Sequence, residues 1–294
     1  MSLADSSSSS ENVSKKNTNL TLSDKSKKFL DIIYKKDFTL QFDDKIGSIQ
    51  QILTATNVGV IRRQAVLKEL NLKKGQTIID IGCGGGHLIK EISMSVGSLG
   101  KAIGVDPSEF QIKTAKDKCK HLSNVQFLCS NANDINIEIK SCDAVTFTQT
   151  LEYINNVDET LFAAKKLQKP MSIFVNVSTL WDFFGFHGPE KELNDMMHEI
   201  YLTQKHPMLP TQLNRKLEKQ GYTNIKTQEI PFFITKKDEN SFPKFHEILM
   251  INAATKKGVS QHLIQKWQDQ LQDAEKKGNF AFTVISVLTS AFSN

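Results

Sequence analysis

Apolar positions along most of the chain recur with two alternating periods. Short β-rich runs at 77–81, 102–106, 125–129, 144–148 and 172–177 are each followed by a Gly, Pro or Asn break. Helical stretches fill the intervals at 86–95, 108–120, 158–167 and 211–220. Strands alternating with helices predict an α/β architecture, a doubly wound parallel sheet with both faces covered. Upstream, Phe29, Ile32 and Ile33, then Ile46, Ile49, Ile52 and Leu53, recur at helical spacing and predict two helices. A third, at 62–70, leads into the turn Lys73, Lys74, Gly75. The rhythm breaks at 179–212, a mixed aromatic and polar stretch with helical spacing at Leu193, Met197 and Ile200, placed where a lid over a site is expected. Two further strands follow at 225–230 and 281–288, with a helix at 260–277 between them.

Residues 1–24 carry a serine run at 6–10 and have almost no apolar periodicity, so they cannot bury enough surface to offset their ordering entropy. A disordered tail is expected there. Residues 25–294 are expected to form a single domain: N-terminal helices at 25–72, a core at 73–178, a lid at 179–212, and C-terminal strands and helix at 213–294.

Composition narrows the class. With 294 residues, 39% hydrophobic and 23% charged, collagenous, coiled-coil and wholly disordered chains are excluded. The formal charge of +5 is scattered in pairs such as Lys27 and Lys28 or Lys256 and Lys257, without the stripe that tracks a phosphate backbone, so no nucleic-acid partner is expected. Cys83, Cys119, Cys129 and Cys142 match no zinc spacing, and no secretory signal is visible, which points to reduced thiols and a cytoplasmic protein. The apolar run 280–292 is interrupted by Thr283, Ser286, Thr289 and Ser290 and is shorter than the roughly 20 residues that span a bilayer. The histidines offer no i, i+4 pair around an acid, so no metal site is expected.

The richest segment is Ile78, Ile79, Asp80, Ile81, Gly82, Cys83, Gly84, Gly85, Gly86 and His87. Glycines after a buried strand let the chain turn sharply and bring backbone amides close to a ligand at the start of the next helix. Asp80 and Asp106, at the ends of the first two strands, help to choose the ligand. A carboxylate at the mouth of the first strand repels the pyrophosphate of NAD or FAD but suits a cationic ligand. S-adenosylmethionine carries an ammonium and a sulfonium and no phosphate. An acid after the second strand accepts both ribose hydroxyls; the plainer alternative for Asp106 is a helix cap before Pro107 and Ser108.

Asp80 to Gly86 resembles the first motif of the class I S-adenosylmethionine-dependent methyltransferases, and Gly104, Val105, Asp106 resembles their second. Asn131 and Ala132 stand where that family usually has Asp-Ala against the adenine. Asp143 to Val145 with Gln149 to Ile154 resembles the fourth-strand motif, and Lys166 to Pro170 the turn before the fifth strand. A looser pattern of Trp181 and Asp182, His187, His206 to Pro210, Gly221 and Tyr222, and Trp267 with Gly278 to Phe282 resembles the small-molecule branch similar to the ubiquinone and menaquinone methyltransferases. The resemblance implies a Rossmann-like, seven-stranded sheet ending in an antiparallel hairpin, with S-adenosyl-L-methionine as cofactor. It implies cofactor contacts from Asp80, Gly82, Cys83, Gly84, Gly86, Asp106, Pro107, Asn131, Ala132 and Gln149. Asn131 replaces an acid and so weakens one charge-assisted hydrogen bond.

Expected is methyl transfer to a small, apolar or aromatic acceptor, with Phe183, Phe184, Phe186 and Trp181 lining the lid. A macromolecular acceptor and a non-catalytic cofactor-binding protein are the alternatives. Candidate catalytic residues are His187, His206 and Tyr153. The plainer readings are turn histidines beside proline for the first two and an adenosine-pocket wall for Tyr153. Oligomeric state is left open.

Overall fold

The computed structural model describes residues 44–202, 204–238 and 241–294. The predicted tail 1–24 and the predicted helix around Phe29 lie outside them.

The four strands at the centre are apolar on both faces, as a parallel sheet covered by helices requires. In β1 (Thr77–Ile81), Ile78, Ile79 and Ile81 are at most 1% exposed. β1 pairs in parallel with β2 (Lys101–Asp106) on one side and β4 (Cys142–Thr148) on the other. β3 (Val125–Cys129) extends the sheet beyond β2, and β5 (Gln168–Thr179) beyond β4. The order reverses between β1 and β4, and ligands in open α/β sheets bind in the crevice at the carboxyl ends of the strands at such a switch.

The far side is antiparallel. β8 (Ala281–Ser293) lies between β5 and β7 (Tyr222–Ile234). The sheet has eight strands where seven are expected. The addition is β6 (Gly185–His187), three residues inside the predicted lid that continue the β5 edge of β8 by pairing Phe186 with Phe282. A run that short leaves no alternation to read.

Helices α1 (Asp44–Ala55), α2 (Asn57–Leu70), α3 (His87–Val96) and α4 (Glu109–Cys119) precede or interleave with the first three strands. Val66 and Leu70 of α2, Leu88, Ile89, Ile92 and Val96 of α3, and Ile112 of α4 pack with Ile78, Ala102 and Val177 of the sheet. α5 (Val157–Leu167) and α7 (Pro210–Lys219) supply Leu161, Ala164, Leu213 and Leu217 to a second cluster around Phe147 and Phe174. The starts of α2, α4, α5 and α9 are set by side chains that accept an orphan first-turn amide, Thr56, Ser108, Asn156 and Ser260.

A third cluster joins the segment after β5 to the C-terminal helices. It packs α6 (Lys191–Tyr201), α8 (Phe242–Lys256) and α9 (Gln261–Lys276) around Trp267, Phe186 and Phe282. The sequence reading has no helix at α8. Phe242, Phe245, His246, Glu247, Leu249, Met250, Ala253 and Ala254 are buried around it, so no polar face marks its period. Among the described residues, no helix is long and apolar enough to cross a membrane.

Candidate functional site

One cavity of about 800 Å³ opens at the carboxyl ends of β1, β2 and β4 and runs under the third cluster. Asp80, Gly82, Cys83, Gly84, Asp106, Pro107, Asn131, Ala132 and Gln149 all line it, nine of the ten residues expected at the cofactor. Gly86 does not. It caps α3 at φ 76°, and a Cβ there would come within 2.8 Å of the Ala115 Cβ, so it is the glycine that lets α4 approach the loop. Gly82 turns the chain at φ 80° just beneath Thr150, whose Oγ1 would lie 2.2 Å from a Cβ.

Asp80 is 2% exposed and accepts a hydrogen bond from Thr146 Oγ1 at 2.7 Å. Burial raises its pKa to about 7; the Thr146 bond opposes the rise and the nearby Asp106 carboxylate adds to it. The sequence reading takes Asp80 as ionised. In the free protein at neutral pH it is divided between acid and carboxylate, which is the state of a buried anion without its counter-charge.

Asp106 is half-buried. Its Oδ2 accepts from Gly84 N at 3.0 Å and its Oδ1 from Ser108 N at 2.9 Å, so the acid ties the second strand to the glycine loop, and each oxygen keeps capacity for a further donor. Burial raises its pKa against those two amides. Gln149 sits at φ 54°, an uncommon conformation for a side-chain-bearing residue, fixed by its N–H to Val177 O at 2.7 Å and by Thr179 Oγ1 donating to its Oε1 at 2.8 Å. Asn131 is exposed and donates to Asp134 Oδ2 at 3.2 Å. Cys83 is a buried neutral thiol, its pKa held well up by burial and the two aspartates.

α1 covers the glycine loop. Gln51 Nε2 donates to Gln111 Oε1 and Gln111 Nε2 to Gln50 Oε1, both at 2.7 Å. Beside them His87 Nε2 accepts from the Lys118 ammonium at 2.6 Å, and burial with Lys118 lowers the His87 pKa to about 4, leaving a neutral ring. Two carboxylates that form no ion pair among the described residues, amides exposed by left-handed glycines and a deep cavity fit a ligand bearing an ammonium and a ribose.

The deeper end is aromatic. Trp181, Phe184, Tyr201, Phe242, His246 and Leu249, each at most 6% exposed, wall it off from solvent. Phe184 anchors the wall, with ring centroids 4.9 Å from Trp181 and 4.7 Å from His246. Of the residues expected to line the lid, Phe183 is exposed and Phe186 packs against Trp267 in the core, so Phe184 and Trp181 alone reach the cavity.

Of the three candidate catalytic residues, Tyr153 lines the cavity and the two histidines do not. His187 is exposed on β6, its Nε2 2.8 Å from Thr283 Oγ1. His206 holds a loop, with its N–H donating to Glu152 O and its Nε2 3.0 Å from Ile154 O. The sequence reading misses Arg62 and His246. Arg62 had a signal: with Val58, Val66 and Leu70 it recurs every fourth residue on the buried face of α2, a charge set in an apolar stripe. His246 had none, because its helix was not legible.

Comparison with known proteins gives a consistent picture. A family model described as a methyltransferase domain matches residues 72–271. Demethylmenaquinone methyltransferase of Staphylococcus saprophyticus is 32% identical over 117 residues, 40% of this chain and 50% of that protein. The chain thus matches about half the length of its curated relatives. Among solved structures, the YcgJ protein from Bacillus subtilis superposes with a TM-score of 0.56 at 14% identity, covering 79% of this chain and 98% of that one. Haemonchus contortus phosphoethanolamine N-methyltransferase 2, in complex with phosphomonomethylethanolamine and S-adenosylhomocysteine, gives 0.55 at 17% identity, covering 86% and 58%.

Proposed function

The chain belongs to the family of S-adenosylmethionine-dependent methyltransferase domains, and from that premise we propose that it methylates a small acceptor with a flat or apolar body. One observation carries this reading. The cavity that begins at Asp80 and the glycine loop continues without a break into the aromatic chamber, so a methyl donor and an acceptor fit end to end. The names of the relatives, which concern demethylmenaquinone and phosphomonomethylethanolamine, support a small-molecule acceptor.

When bound, the cofactor supplies an electrophilic sulfonium methyl. Asp80 would then face its ammonium, Asp106 would take the ribose hydroxyls, Asn131 and Ala132 would border the adenine, and Gln149 with Tyr153 would flank the passage to the acceptor. Cys83 and Pro107 form the sides of the adenosine pocket. The chain's contribution is positioning: holding a nucleophile in line and excluding water supplies roughly 7–11 kcal/mol in favourable cases without a strong base. The closed aromatic wall serves that exclusion. Four free cysteines, three of them buried, support a cytoplasmic setting.

Replacing Asp106 with alanine is expected to weaken S-adenosylhomocysteine binding by about 1.5–3 kcal/mol, the worth of hydrogen bonds to a charged group. Calorimetric titration checks it, and unchanged affinity would remove the ribose assignment. The activity is tested with methyl-labelled S-adenosylmethionine and a cell extract separated into metabolites, RNA and protein. Label in the metabolite fraction is the expected result. Label confined to RNA or protein contradicts the small acceptor, and no label despite cofactor binding favours a non-catalytic protein.

A further inference from the structure

Arg62 is a buried charge whose surroundings are incomplete. Its guanidinium donates from Nε to Ser286 Oγ at 2.8 Å and from Nη2 to Thr179 Oγ1 at 3.1 Å. Its carbon stands 5.2 Å from the centroid of the Phe242 ring and 6.0 Å from that of Phe232. Among the described residues no carboxylate makes an ion pair with it. Glu152 acts on it only at a distance, its own oxygens accepting from Ser178 Oγ and Thr179 N. Burial lowers the Arg62 pKa to about 10, so it stays cationic at neutral pH. Hydroxyls and ring faces are weak compensation for a desolvated cation.

The same chamber holds two further unmet groups. Trp181 Nε1 and His246 Nε2 are buried with no hydrogen-bond partner, and both residues line the cavity with Arg62. Tyr201 Oη lies 2.8 Å from His246 Nδ1. Burial raises the Tyr201 pKa and lowers that of His246, so a neutral phenol meets a neutral ring. The chamber therefore holds one cation among aromatic walls, and the two unmet nitrogens are enclosed within those walls.

We propose that the acceptor carries an ionised oxygen, a carboxylate or a phenolate, on its flat apolar body, with Arg62 as its counter-charge. This rests on the methyl-transfer reading above. An acceptor anchored in this way lies between the aromatic walls with its free end towards Gln149 and Tyr153. Arg62, on a helix ahead of the glycine loop, thereby becomes a specificity residue.

The test is calorimetry on the full chain saturated with S-adenosylhomocysteine. One arm compares 2-naphthoate with neutral 2-naphthamide; the other compares 4-nitrophenolate with 4-nitroanisole at a pH near 8. In at least one arm the anion is expected to bind about tenfold or more tighter than its neutral partner, equivalent to about 1.4 kcal/mol or more. The arm that responds tells carboxylate from phenolate. Arg62→Met should erase the preference and Arg62→Lys should keep part of it, with S-adenosylhomocysteine affinity unchanged in both. Equal or absent binding in both arms, or a preference that survives in Arg62→Met, overturns the inference. So does loss of S-adenosylhomocysteine affinity in that variant, which would place Arg62 against the cofactor. The wild-type ratio needs no variant and decides the matter if Arg62→Met fails to fold. Absence of S-adenosylhomocysteine binding to the wild type would be a failure of the methyl-transfer reading instead.

Discussion

Asp80→Asn is expected to lower S-adenosylhomocysteine affinity by about 1.5–3 kcal/mol at a pH near 8, and to flatten its pH dependence. The sign follows from burial. With a pKa raised to about 7, Asp80 is mostly ionised above neutrality and ready for the ligand's ammonium; below it the free protein holds a proton that binding must expel. Affinity of the wild type should therefore fall as pH drops, approaching about tenfold per unit well below pH 7, with proton release on binding. The asparagine variant has no proton to lose there. The same shift acts on stability in the opposite sense: the folded state holds this proton more tightly than the unfolded one. Its contribution is then largest at low pH and lost as pH rises through about 7. Titrations at pH 6, 7 and 8 with two buffers of different ionisation enthalpy measure both effects. PH-independent affinity in the wild type would show that Asp80 does not face the ammonium.

The largest stability effect is expected at Trp267. It is fully buried, its ring 5.3 Å from Phe186, and its Nε1 donates at 3.0 Å to Asn194 Oδ1. Asn194 in turn donates to Phe186 O at 2.7 Å, so one indole joins α9, α6 and β6. Trp267→Ala removes the packing and leaves Asn194 Oδ1 without its donor, at a cost of about 3–5 kcal/mol. A fall in melting temperature on the order of 10 °C is expected. Trp267 does not line the cavity, so S-adenosylhomocysteine affinity of the folded variant should hold. A near-neutral melting temperature would mean that this cluster is not a cooperative part of the fold.

The glycine-loop end of the cavity was legible because its residues are local in sequence. A buried strand, a turn of glycines and a helix start fall within ten consecutive residues from Ile78 to His87, and Asp106 ends the next strand. The aromatic end brings together Arg62, Trp181, Tyr201 and His246 from four distant segments, and no local period encodes such a meeting. The candidate histidines drew notice from neighbouring turns, yet those turns put His187 on the surface and His206 in a loop tie. His246 hides in α8, whose burial on several sides erases the amphipathic signal. The eighth strand was missed for a similar reason: β6 is three residues held by pairing to β8, not by its own propensity.

Calorimetric titration of the purified chain with S-adenosylmethionine, S-adenosylhomocysteine and NAD in parallel tests the central claim most directly. Micromolar binding of the first two is expected and none of NAD, whose pyrophosphate Asp80 repels. Binding of NAD alone, or silence from all three, would contradict it.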